Sequence, residues 1–257
     1  GSVRKRTGGI PCGRCAEAAR AAARSLRFGE DWRFNVIIMT DTASISLAKR
    51  RDAILAELAQ AASPPPCLVA VSKTQPDEKI DAMLAAGQRV FGENRVQEAQ
   101  AHWADRRALY PDLELRLIGP LQTNKAEDAV ALFDVIETLD RDKLARALAK
   151  AVEKAGRAPR IFIQVNTGEE PQKAGVTPDG LETLFKVAVD ECGLDVQGLM
   201  CIPPVDEPAG PHFALLAKLA QRHGLKGLSM GMSGDYKLAA TFGATHVRIG
   251  SALFGAR

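Results

Sequence analysis

From residue 67 onward the chain repeats one pattern, a short apolar run followed by a longer mixed stretch. Eight such runs fall at 67–73, 89–94, 114–119, 134–139, 160–166, 196–202, 227–232 and 246–250. Each is short and largely continuous in its apolar character, as in parallel strands buried on both faces, and helical stretches lie between most of them. Eight β/α units in one chain predict an α/β fold of the (β/α)8 TIM barrel type. Ahead of the first run, Ile45, Leu47, Ile54, Leu55 and Leu58 recur at helical spacing, and Ser63-Pro64-Pro65-Pro66 ends that helix. The eighth run is followed by too few residues for a full eighth helix, so the helix of 43–62 is the candidate to cover that gap. The rival architecture, an open doubly wound sheet, would normally place a Gly-rich loop after its first strand. This chain has Lys73-Thr74-Gln75-Pro76 there.

Composition narrows the class without changing the fold. A hydrophobic fraction of 46% over 257 residues supports a substantial core. No apolar run approaches the roughly 20 residues that span a bilayer, and the N-terminus lacks the continuous apolar stretch of a secretory signal. The five cysteines are odd in number and scattered, which argues against a disulfide framework and for a reducing compartment; the expected location is cytoplasmic. Of the 34 Lys/Arg and 31 Asp/Glu, residues 1–38 hold eight and three, leaving 26 against 28 for the rest. The slightly acidic body offers no basic face for nucleic acid, and without heptads it gives no reason to expect an obligate assembly, so a monomer is expected. Residues 1–38 also differ in kind, being rich in Arg and Ala, whereas Met39 opens a stretch that reads as a natural start. They are expected to be a non-native or dispensable extension, with 39–257 forming one functional domain. Cys12 and Cys15 form a lone CxxC inside the extension, weak as a metal or redox signal.

The candidate chemistry lies at strand ends. Lys73 closes the apolar run Leu68-Val69-Ala70-Val71-Ser72, and a lysine partly desolvated at a barrel mouth favours the neutral, nucleophilic amine that attacks carbonyls. Alone, a lysine at a strand end is more often a snorkelling surface charge. Its position separates the two readings, because strand one lies beside strand eight in a closed barrel. After strands seven and eight come two small-residue turns, Ser233-Gly234 and Gly250-Ser251. Barrels often grip phosphate at those two places, with hydroxyls and unobstructed backbone N–H groups. Arg248, two residues before Gly250, points the same way as that glycine. Aimed into a barrel it needs a partner, and a pyridine nitrogen is one to which it could donate. An amine for an aldehyde facing a cradle for a phosphate suits pyridoxal phosphate. Glu93, Gln122, Asn124 and Lys125 are further polar residues near strand ends, equally well explained as caps and loop ligands. His102, His212, His223 and His246 show no metal-ligand spacing and read as structural.

Seven stretches in order carry a resemblance: AVSKTQP at 70–76, FGENRVQEA at 91–99, IGPLQTNK at 118–125, QVNTGEEPQKAGV at 164–176, GLMCIPP at 198–204, LSMGMSGDY at 228–236 and VRIGSALFGAR at 247–257. From about residue 43 to its last residue the chain resembles the YggS/PROSC-type pyridoxal phosphate homeostasis proteins. The resemblance implies a single-domain barrel like the N-terminal domain of alanine racemase, with pyridoxal phosphate as a Schiff base on Lys73. It further implies that Arg248 faces the pyridine nitrogen, that Ser233, Gly234, Gly250 and Ser251 surround the phosphate, and that Asn94 lies near the ring. Two positions depart from it: many members have histidine in place of Arg116, and some have an acidic residue in place of Gly234. The role of Arg116, like that of Asn124 and Lys125, stays open at this point.

An arginine at the ring nitrogen weakens the electron sink on which pyridoxal enzymes rely. A racemase also needs two bases, and resemblance to alanine racemase places its second base, a tyrosine, on a separate β domain. This chain's only tyrosines are Tyr110 and Tyr236. The expected function is therefore a carrier that stores or delivers pyridoxal phosphate and takes part in its homeostasis, with pyridoxal-dependent apoenzymes as candidate recipients. The alternative is a small pyridoxal-dependent amino-acid racemase or related enzyme. A cofactor-free Schiff-base aldolase would need an acid–base pair near Lys73 and would have no use for Arg248.

Overall fold

The eight apolar runs pair in sequence order, all parallel, and the first also pairs with the last, closing a barrel. The computed structural model describes residues 41–255, with side chains from residue 46. Residues 1–38, with Cys12 and Cys15, and the side chain of Ile45 lie outside the described residues. The strands are β1 (Cys67–Val71), β2 (Val90–Glu93), β3 (Glu114–Leu117), β4 (Val135–Leu139), β5 (Arg160–Val165), β6 (Val196–Cys201), β7 (Gly227–Ser229) and β8 (His246–Ile249). Each is a little shorter than its apolar run, and for all but β4 the last residues of the run already turn into the following loop.

Helices cover the outside: α1 (Asp41–Ala61), α2 (Asp77–Ala85), α3 (Val96–Leu109), α4 (Ala126–Leu132), α5 (Asp142–Ala155), α6 (Leu181–Lys186), α7 (Ala209–Arg222), α8 (Tyr236–Thr241) and the single turn α9 (Ser251–Phe254). The seam left by so short an α9 is covered by α1, as expected. Leu47, Ile54 and Leu58 bury their side chains. Arg51 of α1 donates to Gln88 ahead of β2 at 3.2 Å, and Glu57 pairs with Lys237 of α8 at 2.9 Å. Among the described residues no helix is long and apolar enough to cross a membrane.

Alternation along the strands sorts side chains between the barrel and its jacket. Phe91 of β2 points outward and packs on Trp103 of α3, with ring centroids 4.6 Å apart. The next residue, Gly92, turns inward, where a Cβ would meet Val69 and Ile118 at 3.0 Å. The inward layer of β5 carries Phe162, and its ring occupies space made by two glycines. A Cβ on Gly198 would lie 2.5 Å from that ring and 2.4 Å from the Gly227 carbonyl; one on Gly227 would lie 2.7 Å from the ring.

Beside Val135 and Met200, which pack with Phe162, the interior carries a charged row. Arg116 of β3 is fully buried, with Nε 2.5 Å from Glu137 Oε1, and Glu137 of β4 is equally buried. The second oxygen of Glu137 accepts from Ser229 Oγ at 2.5 Å, and Ser229 in turn accepts from Arg248 Nη1 at 2.7 Å. Glu114 accepts from Arg116 and, at 2.7 Å, from Arg160. Burial opposes ionisation of Glu137, but the guanidiniums of Arg116 and Arg248 and the Ser229 hydroxyl hold its carboxyl below the ordinary carboxylate range.

The glycines at 198 and 227 give the first prediction. Gly198→Ala overfills the barrel beside Phe162 and is expected to cost about 1–3 kcal/mol, read as a lower urea midpoint at unchanged slope. A wild-type midpoint would show that the ring does not need that space.

Candidate cofactor site

The C-terminal ends of the strands open onto one cavity of about 510 Å³, within the size range of small-molecule sites. Its wall includes Lys73, Asn94, Ser233, Gly234, Arg248, Gly250 and Ser251. The loops after β1, β2, β7 and β8, with Arg248 on β8 itself, thus bring together Lys73, Asn94, Arg248 and the two small-residue turns. Gln75, Ile118, Ile202, Met232 and Gly255 complete much of the rest.

Lys73 enters from a loop tied down on both sides. Ser72 turns outward and donates from Oγ to Glu93 Oε1 at 2.7 Å. The Thr74 amide donates to Glu98 of α3, and Thr74 takes a φ of 59°, a left-handed conformation unusual for a β-branched residue. Gln75 N returns to the Ser72 carbonyl at 3.0 Å. Lys73 itself makes no salt bridge among the described residues, so its amine is not committed to a carboxylate.

Arg248 rises from β8 with 4% of its surface exposed. Besides Ser229 it donates from Nη2 to the Cys201 carbonyl at 2.8 Å. These bonds and the Glu137 charge behind them fix its plane against the cavity wall. Opposite, the turn after β7 is shaped by Asp235, whose carboxylate accepts from Met232 N at 2.6 Å. Gly231 has a φ of +92° and no room for a Cβ, which would come 2.5 Å from Ala239. Gly234 is different: a Cβ there would meet nothing within 4 Å. The turns after β7 and β8 are joined by a bond from Ala252 N to Ser233 Oγ at 3.2 Å. Leu253 N donates to the Gly250 carbonyl at 3.0 Å, which leaves the Ser251 amide without an acceptor among the described residues. Two hydroxyls, that amide and the open space at Gly234 form a pocket for an anion.

Other polar candidates fall elsewhere. Glu93 faces the helices, where Oε1 accepts from Ser72 and, at 3.1 Å, from Trp103, with His102 Nδ1 also at 3.1 Å, while Oε2 is buried without a partner. Burial pushes its carboxyl above the ordinary range, against the pull of Ser72, His102 and Trp103. Gln122 holds the N-cap position of a 3-10 turn that contains Asn124 and Lys125, with no capping bond from its side chain; Lys125 pairs with Asp128 at 3.2 Å, and none of the three lines the cavity. Tyr110 ends α3 at the opposite rim of the barrel, under Arg89. The Tyr236 hydroxyl donates to Glu57 of α1, and burial followed by that carboxylate pushes it up to about 12. Neither tyrosine lines the cavity.

Strand-end reasoning missed Glu137, which sits in the middle of the apolar run Val135-Ile136-Glu137-Thr138-Leu139. A lone carboxylate inside a buried strand was the available signal. It also missed Gly119, where a Cβ would lie 2.3 Å from the Asn94 carbonyl. That glycine lets the ends of β2 and β3 close together and sets Asn94 at the rim.

A closed barrel with a lysine after its first strand, an arginine on its last and an anion pocket between them defines a barrel of the alanine racemase type. The family model described as alanine racemase, N-terminal domain, matches residues 51–257. The pyridoxal phosphate homeostasis protein of Aquifex aeolicus (strain VF5) is 41% identical over 199 residues, covering 74% of this chain and 86% of its own. PipY of Synechococcus elongatus PCC7942 has been solved with PLP bound; it is 38% identical with a TM-score of 0.72, covering 81% of this chain and 100% of PipY. The alanine racemase of Clostridium difficile 630 shares the fold at 14% identity, with a TM-score of 0.64 over 82% of this chain and 57% of its own. The chain therefore belongs to the alanine racemase N-terminal domain family, in the branch of the pyridoxal phosphate homeostasis proteins.

The anchoring of the Lys73 loop is testable through Glu93. Because its folded carboxyl titrates above the ordinary value of 4.5, the protein loses stability as pH rises through the interval between the two values. Glu93→Gln keeps an acceptor for Ser72 without the buried charge, so it should be at least as stable as wild type at pH 7 and lack that decline. Glu93→Ala strands the Ser72 and Trp103 donors and should cost about 1–3 kcal/mol. Urea unfolding at pH 5 and pH 8 separates these. Equal damage from both substitutions would mean that the ionised carboxylate is the required form.

Proposed function

We propose that the protein binds pyridoxal phosphate in this cavity and holds it for delivery, taking part in the homeostasis of that cofactor. One observation carries the reading: an uncommitted lysine amine, a fixed arginine and an anion pocket share a single cavity of about 510 Å³. The donor set suits the group. Lys73 offers an amine for its aldehyde, Arg248 a donor for the ring nitrogen, and Ser233, Gly234, Gly250 and Ser251 hydroxyls and amides for its phosphate. Asn94 stands at the rim beside the ring's place. The empty space at Gly234 is available to phosphate oxygens, and Ile118, Ile202 and Met232 supply apolar surface for a flat ring.

When bound, the cofactor supplies a reactive aldehyde and a pyridine ring able to take up electrons. The chain's own residues temper both. Lys73 sequesters the aldehyde through its amine. Arg248 does not surrender its proton, so it donates to the nitrogen without protonating it. On the far side neither tyrosine is placed to move a proton, which favours a carrier over a racemase. The carrier is proposed to act as a cytoplasmic monomer, with pyridoxal-dependent apoenzymes as recipients; the free Cys67, Cys192 and Cys201 suit a reducing compartment.

Lys73→Ala is expected to remove the visible absorption of the loaded protein and the borohydride-fixed pyridoxyl adduct found by peptide mass spectrometry. An adduct retained in similar yield on another lysine would overturn the assignment.

Ser251→Ala should weaken cofactor retention by on the order of ten- to hundredfold, about 1.5–3 kcal/mol for one hydrogen bond to a charged acceptor. Equilibrium dialysis measures this. Unchanged retention in both Ser251→Ala and Ser233→Ala would place the phosphate elsewhere.

A further inference from the structure

At the opposite face of the barrel, where β5 to β8 begin, a second cavity of about 420 Å³ opens among Arg116, Arg160, Phe162, Leu225, Lys226 and His246. The proposed function makes no use of it. Its inner wall holds an unmet need. Arg116 is fully buried and engages Glu137 through Nε and Glu114 through Nη1, yet its Nη2 is buried without a partner among the described residues. A guanidinium N–H left in that state is costly. Arg160 stands beside it on Glu114, with 38% of its side chain exposed, and Lys226 lies exposed at the rim.

Arg116, Arg160 and Lys226 line this cavity and no carboxylate does. Glu114 and Glu137 hold Arg116 from behind the wall, and Asp195 at the rim accepts from Gln197 at 2.8 Å. His246 adds no charge at neutral pH, since burial and then Arg116 bring it down to about 4. Its ring meets Phe162 edge-on with centroids 5.7 Å apart, and the Arg116 guanidinium lies over the same phenyl ring at 5.2 Å. Val196 and Leu225 extend this apolar wall. A Cβ on Gly224 would meet nothing within 4 Å, so the mouth is open there. A buried donor without a partner among the described residues, a lining with three cations and no carboxylate, and an apolar wall of Val196 and Leu225 therefore converge on one opening.

We propose that this lower cavity is a second ligand site, for a small organic anion whose carboxylate or phosphate head meets Arg116 Nη2 and Arg160 and whose apolar body lies against Val196 and Leu225. The upper cavity plays no part in it.

The test uses the isotopically labelled full chain saturated with pyridoxal phosphate, titrated separately with benzoate, phenyl phosphate and inorganic phosphate while backbone amide shifts are followed. Saturable shifts from benzoate or phenyl phosphate are expected at Gly224, Gly227 and His246, with none at Ser233 or Ser251. A preference between these two probes identifies the head group. Lys226→Glu, a change at an exposed position that leaves the fold intact, should weaken binding about tenfold by reversing a charge at the mouth. The proposal is overturned if no probe saturates at millimolar concentration, if the shifts gather at Ser233 and Ser251, or if Lys226→Glu binds as wild type does. It is equally overturned if inorganic phosphate binds as tightly as phenyl phosphate, since the apolar wall would then have no role.

Discussion

An arginine directed into a closed barrel has to be compensated inside it, because water cannot reach the charge and an unpaired buried ion costs several kcal/mol. Arg248 meets that condition through Ser229 and the Cys201 carbonyl, with Glu137 one hydroxyl away. Glu137 would itself be an uncompensated anion without Arg116, and Arg116 draws on Glu114, which also holds Arg160. The row runs from the cavity at one end of the barrel to the opening at the other. Apolar residues of similar volume could have filled this interior with equal or greater stability. What the charged row provides instead is a cation held in one orientation at the site.

That row explains what could and could not be read from the chain. The strands were legible because their apolar runs are continuous, as burial on both faces demands, and α1 because its apolar spacing stands clear of the flanking prolines. The site was legible because barrel topology fixes where strands one, seven and eight end, so Lys73, Arg248 and the two small-residue turns had to converge. Glu137 was hidden for the same reason that β4 was obvious, since one carboxylate among Val135, Ile136 and Leu139 does not disturb an apolar run. Whether such a residue faces the barrel or the helices depends on a single step of register. Glu93 illustrates the other outcome: one residue beyond inward-facing Gly92, it belongs to the jacket and reaches the site only through Ser72.

Glycine roles divide in a similar way. Gly198, Gly227 and Gly119 are required by neighbours far away in sequence, by Phe162 in the first two cases and by the Asn94 carbonyl in the third. Sequence spacing cannot reveal them. Gly234 has no such neighbour among the described residues, since nothing there occupies the space that a side chain would take.

The site thus combines a fixed part and a free part. Arg248 is immobilised by buried partners, whereas the Lys73 amine makes no salt bridge among the described residues and stands on a backbone anchored at Ser72 and Thr74. A preorganised wall reduces the ordering cost of binding, and a free amine at a fixed point can engage and release an aldehyde without rearranging that wall. Acid–base catalysis at a bound substrate would demand the reverse on the far side, a proton-transferring group held close to the reacting atom. The tyrosines that might have supplied it are spent on Glu57 and on the opposite rim. For the proposed carrier, holding a reactive aldehyde therefore depends on this pairing of a fixed wall with an amine that stays uncommitted.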